Sequence, residues 1–244
     1  KINVAVLYGG RSAEHEVSLR SAESVIAALD PKRYEVRRIL IQPDGTWDPG
    51  PILPEPGANP GIDVVFPVLH GTFGEDGTVQ GLLELAALPY VGPGVLASAV
   101  NMDKVFMKRL LRDQGLPVVE WVELQGPDPD AEQVTDRFDF PVFVKPANLG
   151  SSVGISKAKD RESLDVALHV AARFDRKILV ERAIAGREFE CSVMGNEQPK
   201  AAIPCEIRPS KEFYDYEDKY LLDKAEAVVP ANLPPERVEE IRRL

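Results

Sequence analysis

A short apolar run, Asn3 to Tyr8, closes on Gly9-Gly10 and feeds a helical pattern over about Glu16 to Leu29, with Val17, Leu19, Val25, Ile26 and Leu29 apolar. Asp30-Pro31 stops that helix, and Tyr34 to Ile41 reads as a second strand. Ile62 to His70 is the next strand, weakened by Pro67, followed by a helix over about Thr78 to Ala87 and a short strand at Pro89 to Gly92. The first ~95 residues therefore alternate strand and helix, which is the grammar of a parallel sheet covered by helices. Between Pro43 and Gly61, ten of nineteen residues are Pro or Gly. No helix or interior strand tolerates that density, so this stretch is a surface excursion.

The grammar changes after a helix predicted over about Ser98 to Gln114, whose Met102, Val105, Phe106 and Leu110 share one face. Val118–Glu123, Pro141–Lys145 and Gly154–Lys157 are short strands, and Arg161 to Phe174 is a helix carrying Leu164, Ala167, Leu168 and Ala171 at helical spacing. Ile178–Arg182, Glu188–Met194 and Lys200–Glu206 follow as strands with no helix between them, which predicts an antiparallel sheet. Arg208 to Glu226 is polar and aromatic without a period. Pro234-Pro235-Glu236 starts a helix in which the sequence stops at Leu244, the mark expected of a fragment.

Composition narrows the partners. With 29 Lys+Arg against 39 Asp+Glu the net charge is −10, which disfavours nucleic acid and anionic membranes. No apolar run approaches the roughly 20 residues of a membrane span, and the N-terminus has no signal-peptide pattern, so a cytoplasmic protein is expected. Two cysteines, Cys191 and Cys205, and three histidines are too few for a disulfide framework or a Cys/His zinc site.

Several loops carry chemistry. "YGGRSAEHEVS" places Glu14, His15 and Glu16 at the carboxyl end of the first strand, where parallel sheets place ligands. One of these carboxylates could bind an ammonium group, or the loop could simply be solvated. "LHGTFGEDGTVQG" gathers His70, Glu75 and Asp76 among glycines, although Asp76 could serve only as a helix cap. "PVFVKPANLGSSVGISK" delivers Lys145 from a strand into Gly150-Ser151-Ser152-Val153-Gly154. Small residues there let backbone amides approach a polyphosphate while the lysine supplies charge. Neither the GxGxxG nor the GxxxxGK[ST] phosphate loop is present. In "ILVERAIAGREFE" edge backbone groups could pair with an adenine, or the segment could be plain sheet. "KEFYDYEDKY" is a poor core segment and a candidate lid, or an aromatic loop for a partner protein.

Taken in order, "YGGRSAEHEVSLRSA", "LHGTFGEDGTVQG", "VNMDK", "FVKPANLGSSVGISK" and "EFYDYEDKY" resemble the D-alanine–D-alanine ligase family of the ATP-grasp superfamily, across the whole chain. The resemblance implies an N-terminal parallel α/β (Rossmann-like) domain over 1–96, a central ATP-grasp subdomain over 97–184 and an incomplete C-terminal one from 185 to 244. It implies ligation of two D-alanines through a D-alanyl phosphate, with ATP and two Mg²⁺ (or Mn²⁺) ions, in a cytoplasmic homodimer that serves peptidoglycan synthesis. Glu14 would bind the ammonium of the first D-alanine, in a hydrogen-bonded set with Ser151 and Tyr220, and His70 would lie near that substrate. Lys104 and Lys145 would contact the α- and β-phosphates. Ser151, Ser152, Val153 and Gly154 would cover the γ-phosphate, with Lys219 reaching it from the lid. Glu181, Arg182, Ala183 and Ile184 would line the adenine site, and Glu188 would hold the ribose. The family's metal ligands and oxyanion-hole arginine are expected beyond Leu244, so a chain ending there is expected not to turn over. Competing expectations are D-alanyl-D-lactate or D-alanyl-D-serine formation, another ATP-grasp carboxylate–amine ligase, and a nucleotide-binding protein without catalysis.

Overall fold

The computed structural model describes residues 1–210 and 225–244. The chain divides into two compact units, one of Lys1–Leu110 with Pro146–Ser151, the other of Leu111–Lys145 with Ser152–Leu244.

In the first unit the elements are β1 (Ile2–Gly9), α1 (His15–Ala28), β2 (Tyr34–Ile41), β3 (Trp47–Asp48), β4 (Val64–Pro67), α2 (Thr78–Leu85), α3 (Val95–Met102) and α4, which begins at Lys104 and runs to Asp113. The sheet order is β3-β2-β1-β4. β1 is central and parallel to both neighbours, pairing Gly9 with Ile41 and Val4 with Val64. Strand alternation sends Val4 and Val6 to a cluster with Ala22 of α1. Ala5 and Leu7 pack on the other face with Ile39, Ile41, Val79 and Leu83. Both faces are thus covered, as a parallel sheet requires.

Three details differ from the sequence reading. The Pro/Gly stretch contains a strand after all, because Gly45 (φ +90°) turns the chain so that Trp47 pairs antiparallel with Ile41. Pro89–Gly92 contributes one parallel bridge, Val65 to Tyr90, rather than a strand. The helix expected over Ser98–Gln114 is two helices. Asp103 between them is extended (φ −82°, ψ 100°), and its Oδ1 accepts from the Val105 and Phe106 N–H groups, capping α4. Val105 is buried, whereas Phe106 and Leu110 of the predicted face are exposed.

The second unit contains β5 (Trp121–Gln125), α5 (Glu132–Thr135), β6 (Val142–Pro146), β7 (Ser156–Ala158), α6 (Arg161–Ala172) and β8 (Lys177–Arg182), with sheet order β5-β8-β6-β7. α6 starts at a reciprocal Asp160–Ser163 capping box and buries Leu164, Ala167, Leu168 and Ala171. Those four meet Val122, Leu124, Val142, Val144, Ile178 and Val180 from the sheet. Beyond lie β9 (Glu188–Glu190), β10 (Val193–Met194), β11 (Lys200–Ala201), β12 (Cys205–Arg208), β13 (Glu226–Val228) and α7 (Pro235–Arg243). β12 pairs antiparallel with β9, as predicted, and also with β13, which the sequence did not indicate, whereas β8, expected in the same sheet, pairs with β5 instead. The two longer strands expected here are each split. β10 and β11 form a separate hairpin, and Pro204, lacking an N–H, separates β11 from β12.

Candidate functional site

At the carboxyl end of β1 the chain is held by side chains that replace regular pairing. Ser18 Oγ accepts from the Gly9 N–H at 2.8 Å and donates to the Val68 carbonyl, joining the ends of β1 and β4 through α1. Ser12 Oγ donates to the His70 carbonyl at 2.6 Å and accepts from the Glu14 N–H at 3.2 Å. His15 Nδ1 lies 2.7 Å from the Gly10 carbonyl. The "SAEHEVS" and "LHGTFGEDG" loops are thereby pinned to one another.

Glu14 sits at their meeting point and is only 5% exposed. The Ser151 hydroxyl donates to its Oε1. Oε2 lies where a Cβ on Gly71 would be, and 3.5 Å from where one on Gly150 would be. Two residues without side chains therefore make the space for this carboxylate. Among the described residues no Lys, Arg or His pairs with it. A buried carboxylate with a neutral donor and no cation is costly, and such a group suits a cation brought by a ligand. Ser151 itself holds φ +47°, and Ser152 φ +61°, conformations that non-glycine residues rarely adopt and that recur at ligand sites.

His70 is half-buried, and its Nε2 lies 3.1 Å from Ser21 Oγ of α1. Lys104, at the start of α4, donates through Nζ to the Leu149 carbonyl and reaches the Ala147 carbonyl at 3.5 Å. It thus anchors the Ala147–Gly150 backbone that leads to Ser151.

In the second unit, strand alternation puts Val142 and Val144 in the core and Phe143 and Lys145 on the opposite face of β6. Lys145 Nζ forms an ion pair with Glu181 of β8, both largely buried. Phe143 faces Lys157 across β6 and β7, with Lys145 and Lys157 Nζ 5.8 and 5.6 Å from its ring centre. An aromatic face between two ammonium groups suits a flat ring carrying phosphates. Arg182 is exposed, 4.0 Å from Glu120. Ala183 N–H is bonded to the Pro141 carbonyl, Ile184 is exposed, and Glu188 is an exposed residue opening β9. Val153 and Gly154 lie in the turn closed by Ile155 N–H on the Ser152 carbonyl. Lys219 and Tyr220 lie outside the described residues.

One polar cluster had no signal in the sequence. Buried Glu206 accepts from Arg187 Nε and Nη2, both at 2.7 Å, and from Arg208 at 3.3 Å. Arg187 also bonds the Asn232 carbonyl, and Arg208 bonds Glu226. The bonds from Arg187, then those from Arg208, hold the Glu206 carboxyl far below the usual range, at about 2. No local pattern encodes it, because the partners come from different strands and the loop before α7. Among the described residues no group of three or more His, Cys, Asp or Glu could hold a metal ion. No helix among them is long and apolar enough to cross a membrane.

Comparison with known proteins finds one family along most of the chain. The D-ala D-ala ligase N-terminus family model matches residues 3–57 and 53–93, and the D-ala D-ala ligase C-terminus model matches residues 110–244. The D-alanine–D-alanine ligase of Solibacter usitatus is 64% identical over 244 residues, covering 100% of this chain and 75% of that protein. That of a Thermoanaerobacter species is 48% identical over 281 residues, covering 100% and 78%. Among solved structures, the D-alanine–D-alanine ligase from Coxiella burnetii superposes with TM-score 0.84 at 34% identity, covering 100% of this chain and 75% of that one. The VanG D-Ala:D-Ser ligase from Enterococcus faecalis superposes with TM-score 0.87 at 31% identity, covering 100% and 80%. With family models spanning most of its length and relatives this similar, the chain belongs to the D-alanine–D-alanine ligase family.

Proposed function

We propose that this chain joins two D-alanines at the expense of ATP and that Glu14 receives the ammonium of the first. The observation that carries the reading is the Glu14 carboxylate, buried, bonded to Ser151 and without a cationic partner among the described residues. An α-ammonium supplies the missing charge and fixes the carboxylate end of the same molecule for activation. That carboxylate oxygen then attacks the γ-phosphorus, and ADP departs with the electron pair of the broken P–O bond. The amine of the second D-alanine attacks the acyl carbon. The C–O bond to phosphate breaks, inorganic phosphate leaves, and the amine gives up a proton.

Lys104 and Lys145 are assigned to the α- and β-phosphates of ATP, and the Ser151–Gly154 turn to the γ-phosphate. Glu181 to Ile184 are assigned to the base, with Phe143 beside it, and Glu188 to the ribose. His70, held by Ser21, borders the first substrate, and Lys219 and Tyr220 keep the assignments that the family resemblance implies. Bound Mg²⁺ would neutralise phosphate charge. The division into parts at 1–96, 97–184 and 185 onward, a cytoplasmic location and a homodimer belong to the same reading.

The test is ADP release from ATP and Mg²⁺ by the natural full-length enzyme, with D-alanine and then L-alanine. Release that depends on D-alanine, with D-alanyl-D-alanine identified by mass spectrometry, supports the reading. Tight ATP binding with no D-alanine dependence overturns it. The likeness to a D-Ala:D-Ser ligase motivates a second reading. Under it, D-alanyl-D-serine would dominate the products from equal D-alanine and D-serine.

A further inference from the structure

Gln80, in the first turn of α2, is 5% exposed, and its Nε2 donates to the Gly74 carbonyl at 2.9 Å. Its Oε1 has no partner among the described residues. Turning the amide over would set Oε1 against the Gly74 carbonyl, two acceptors facing each other, so the donor contact dictates the orientation.

The bonded carbonyl belongs to the loop that carries Gly71. Gly74 N–H and Glu75 N–H both donate to the Gly71 carbonyl, at 3.2 and 2.9 Å, and Gly71 N–H donates to Glu75 Oε2 at 2.7 Å. Gly74 is itself pressed on Leu69, whose Cβ lies 2.5 Å from where a Gly74 side chain would begin. The Gly71–Glu75 turn is therefore a closed unit, tied to α2 by the Gln80 amide. Its Gly71 corner is the surface on which Glu14 Oε2 rests.

We propose that Gln80 is a positioning residue: its amide donor sets the Gly71 corner against Glu14 and thereby tunes affinity for the first amino-acid substrate. This rests on the assignment of Glu14 to the substrate ammonium. The arrangement keeps a buried amide whose acceptor is unmatched, where an apolar side chain of equal length would pack without that cost. What the amide contributes is the donor.

The experiment compares Gln80→Met and Gln80→Asn with the natural full-length enzyme, with Glu14→Gln as control. Methionine keeps the length and removes the donor, and asparagine keeps the amide but falls short of Gly74. For both variants, the KM for D-alanine at its first site is expected to rise about five-fold, the effect of one lost buried hydrogen bond. The KM for ATP should stay within about two-fold, while the Tm of both variants falls modestly, because the buried Gly74 carbonyl loses its donor. An unchanged D-alanine KM, or equal rises for both substrates, overturns the assignment and leaves Gln80 a structural brace. If Glu14→Gln also leaves the D-alanine KM unchanged, the ammonium site itself is misplaced and both readings fall. If Glu14→Gln raises it and neither Gln80 variant does, only the Gln80 assignment falls.

Discussion

Gly71 carries no side chain at the point where Glu14 places its carboxylate: a Cβ built there falls on Glu14 Oε2. Gly71 also holds φ +72°, a conformation that favours glycine. The two requirements coincide at one residue, so the loop that closes the pocket and the acid that fills it are one steric unit.

Gly71→Ala should therefore hurt twice. The positive φ costs about 1 kcal/mol for a residue with a Cβ, and the new methyl must displace the carboxylate. Thermal unfolding should show the first effect. A rise in the D-alanine KM larger than that in the ATP KM should show the second. Equal losses in a loop glycine away from Glu14, such as Gly57 (φ +79°, nothing near its Cβ position), would refute the coupling.

Lys145 and Glu181 form a largely buried ion pair, so removing Lys145 takes a charged partner from a buried carboxylate. Lys145→Ala should lower stability by about 1.5–3 kcal/mol, the scale of one charge-assisted hydrogen bond, and should weaken ATP binding. Lys145→Met with Glu181→Gln should recover much of the stability and none of the ATP affinity. Recovery of both, in an equilibrium-binding titration, would take Lys145 out of the phosphate site.

How much of this could be read from the residues depends on the range of the forces. α6 was legible because Leu164, Ala167, Leu168 and Ala171 repeat at the helical period and all four are buried. β2 was legible to the residue, because Asp30-Pro31 and Pro43 bracket a segment of β-forming Tyr34, Val36, Ile39 and Ile41. The break at Asp103 was not, because the apolar spacing continues through it and only the backbone reveals the cap. The motif around Glu14 was visible. Its burial was not, since that depends on Gly71, Gly150 and Ser151, all far along the chain. The cluster around Glu206 was invisible for the same reason: strand register brings Arg187 and Arg208 to it, and no local pattern encodes that.

That cluster predicts an acid-sensitive element. The Glu206 carboxyl is held at about 2 in the folded chain, by Arg187 first and Arg208 next, against 4.5 for the free group. A depressed carboxylate pKa stabilises the fold fully above the unfolded value and loses that contribution as pH falls through the folded one. The contribution should thus be complete above about pH 4.5 and fade toward pH 2. A plot of Tm against pH should be shallower across that window in Glu206→Gln than in the parent. Parallel curves would mean that the pair is not formed in solution.

Glu14→Gln provides the sharpest separation of stability from function. The substitution keeps shape and hydrogen-bonding capacity toward Ser151 while removing a buried charge that has no counterion among the described residues. Folding should therefore gain, or at least lose nothing, and an increase of about 1 kcal/mol is the natural scale for relieving such a site. Catalysis should move the other way. A charge-assisted contact to an ammonium contributes about 1.5–3 kcal/mol, so kcat/KM for the first D-alanine should fall roughly 10- to 100-fold. The affinity for ATP measured without D-alanine should hardly change, because the nucleotide makes no demand on this carboxylate. A variant that is less stable and loses ATP affinity as well would show Glu14 to be a structural carboxylate. A more stable enzyme that no longer holds its first amino acid would show that the charge is kept for the substrate alone.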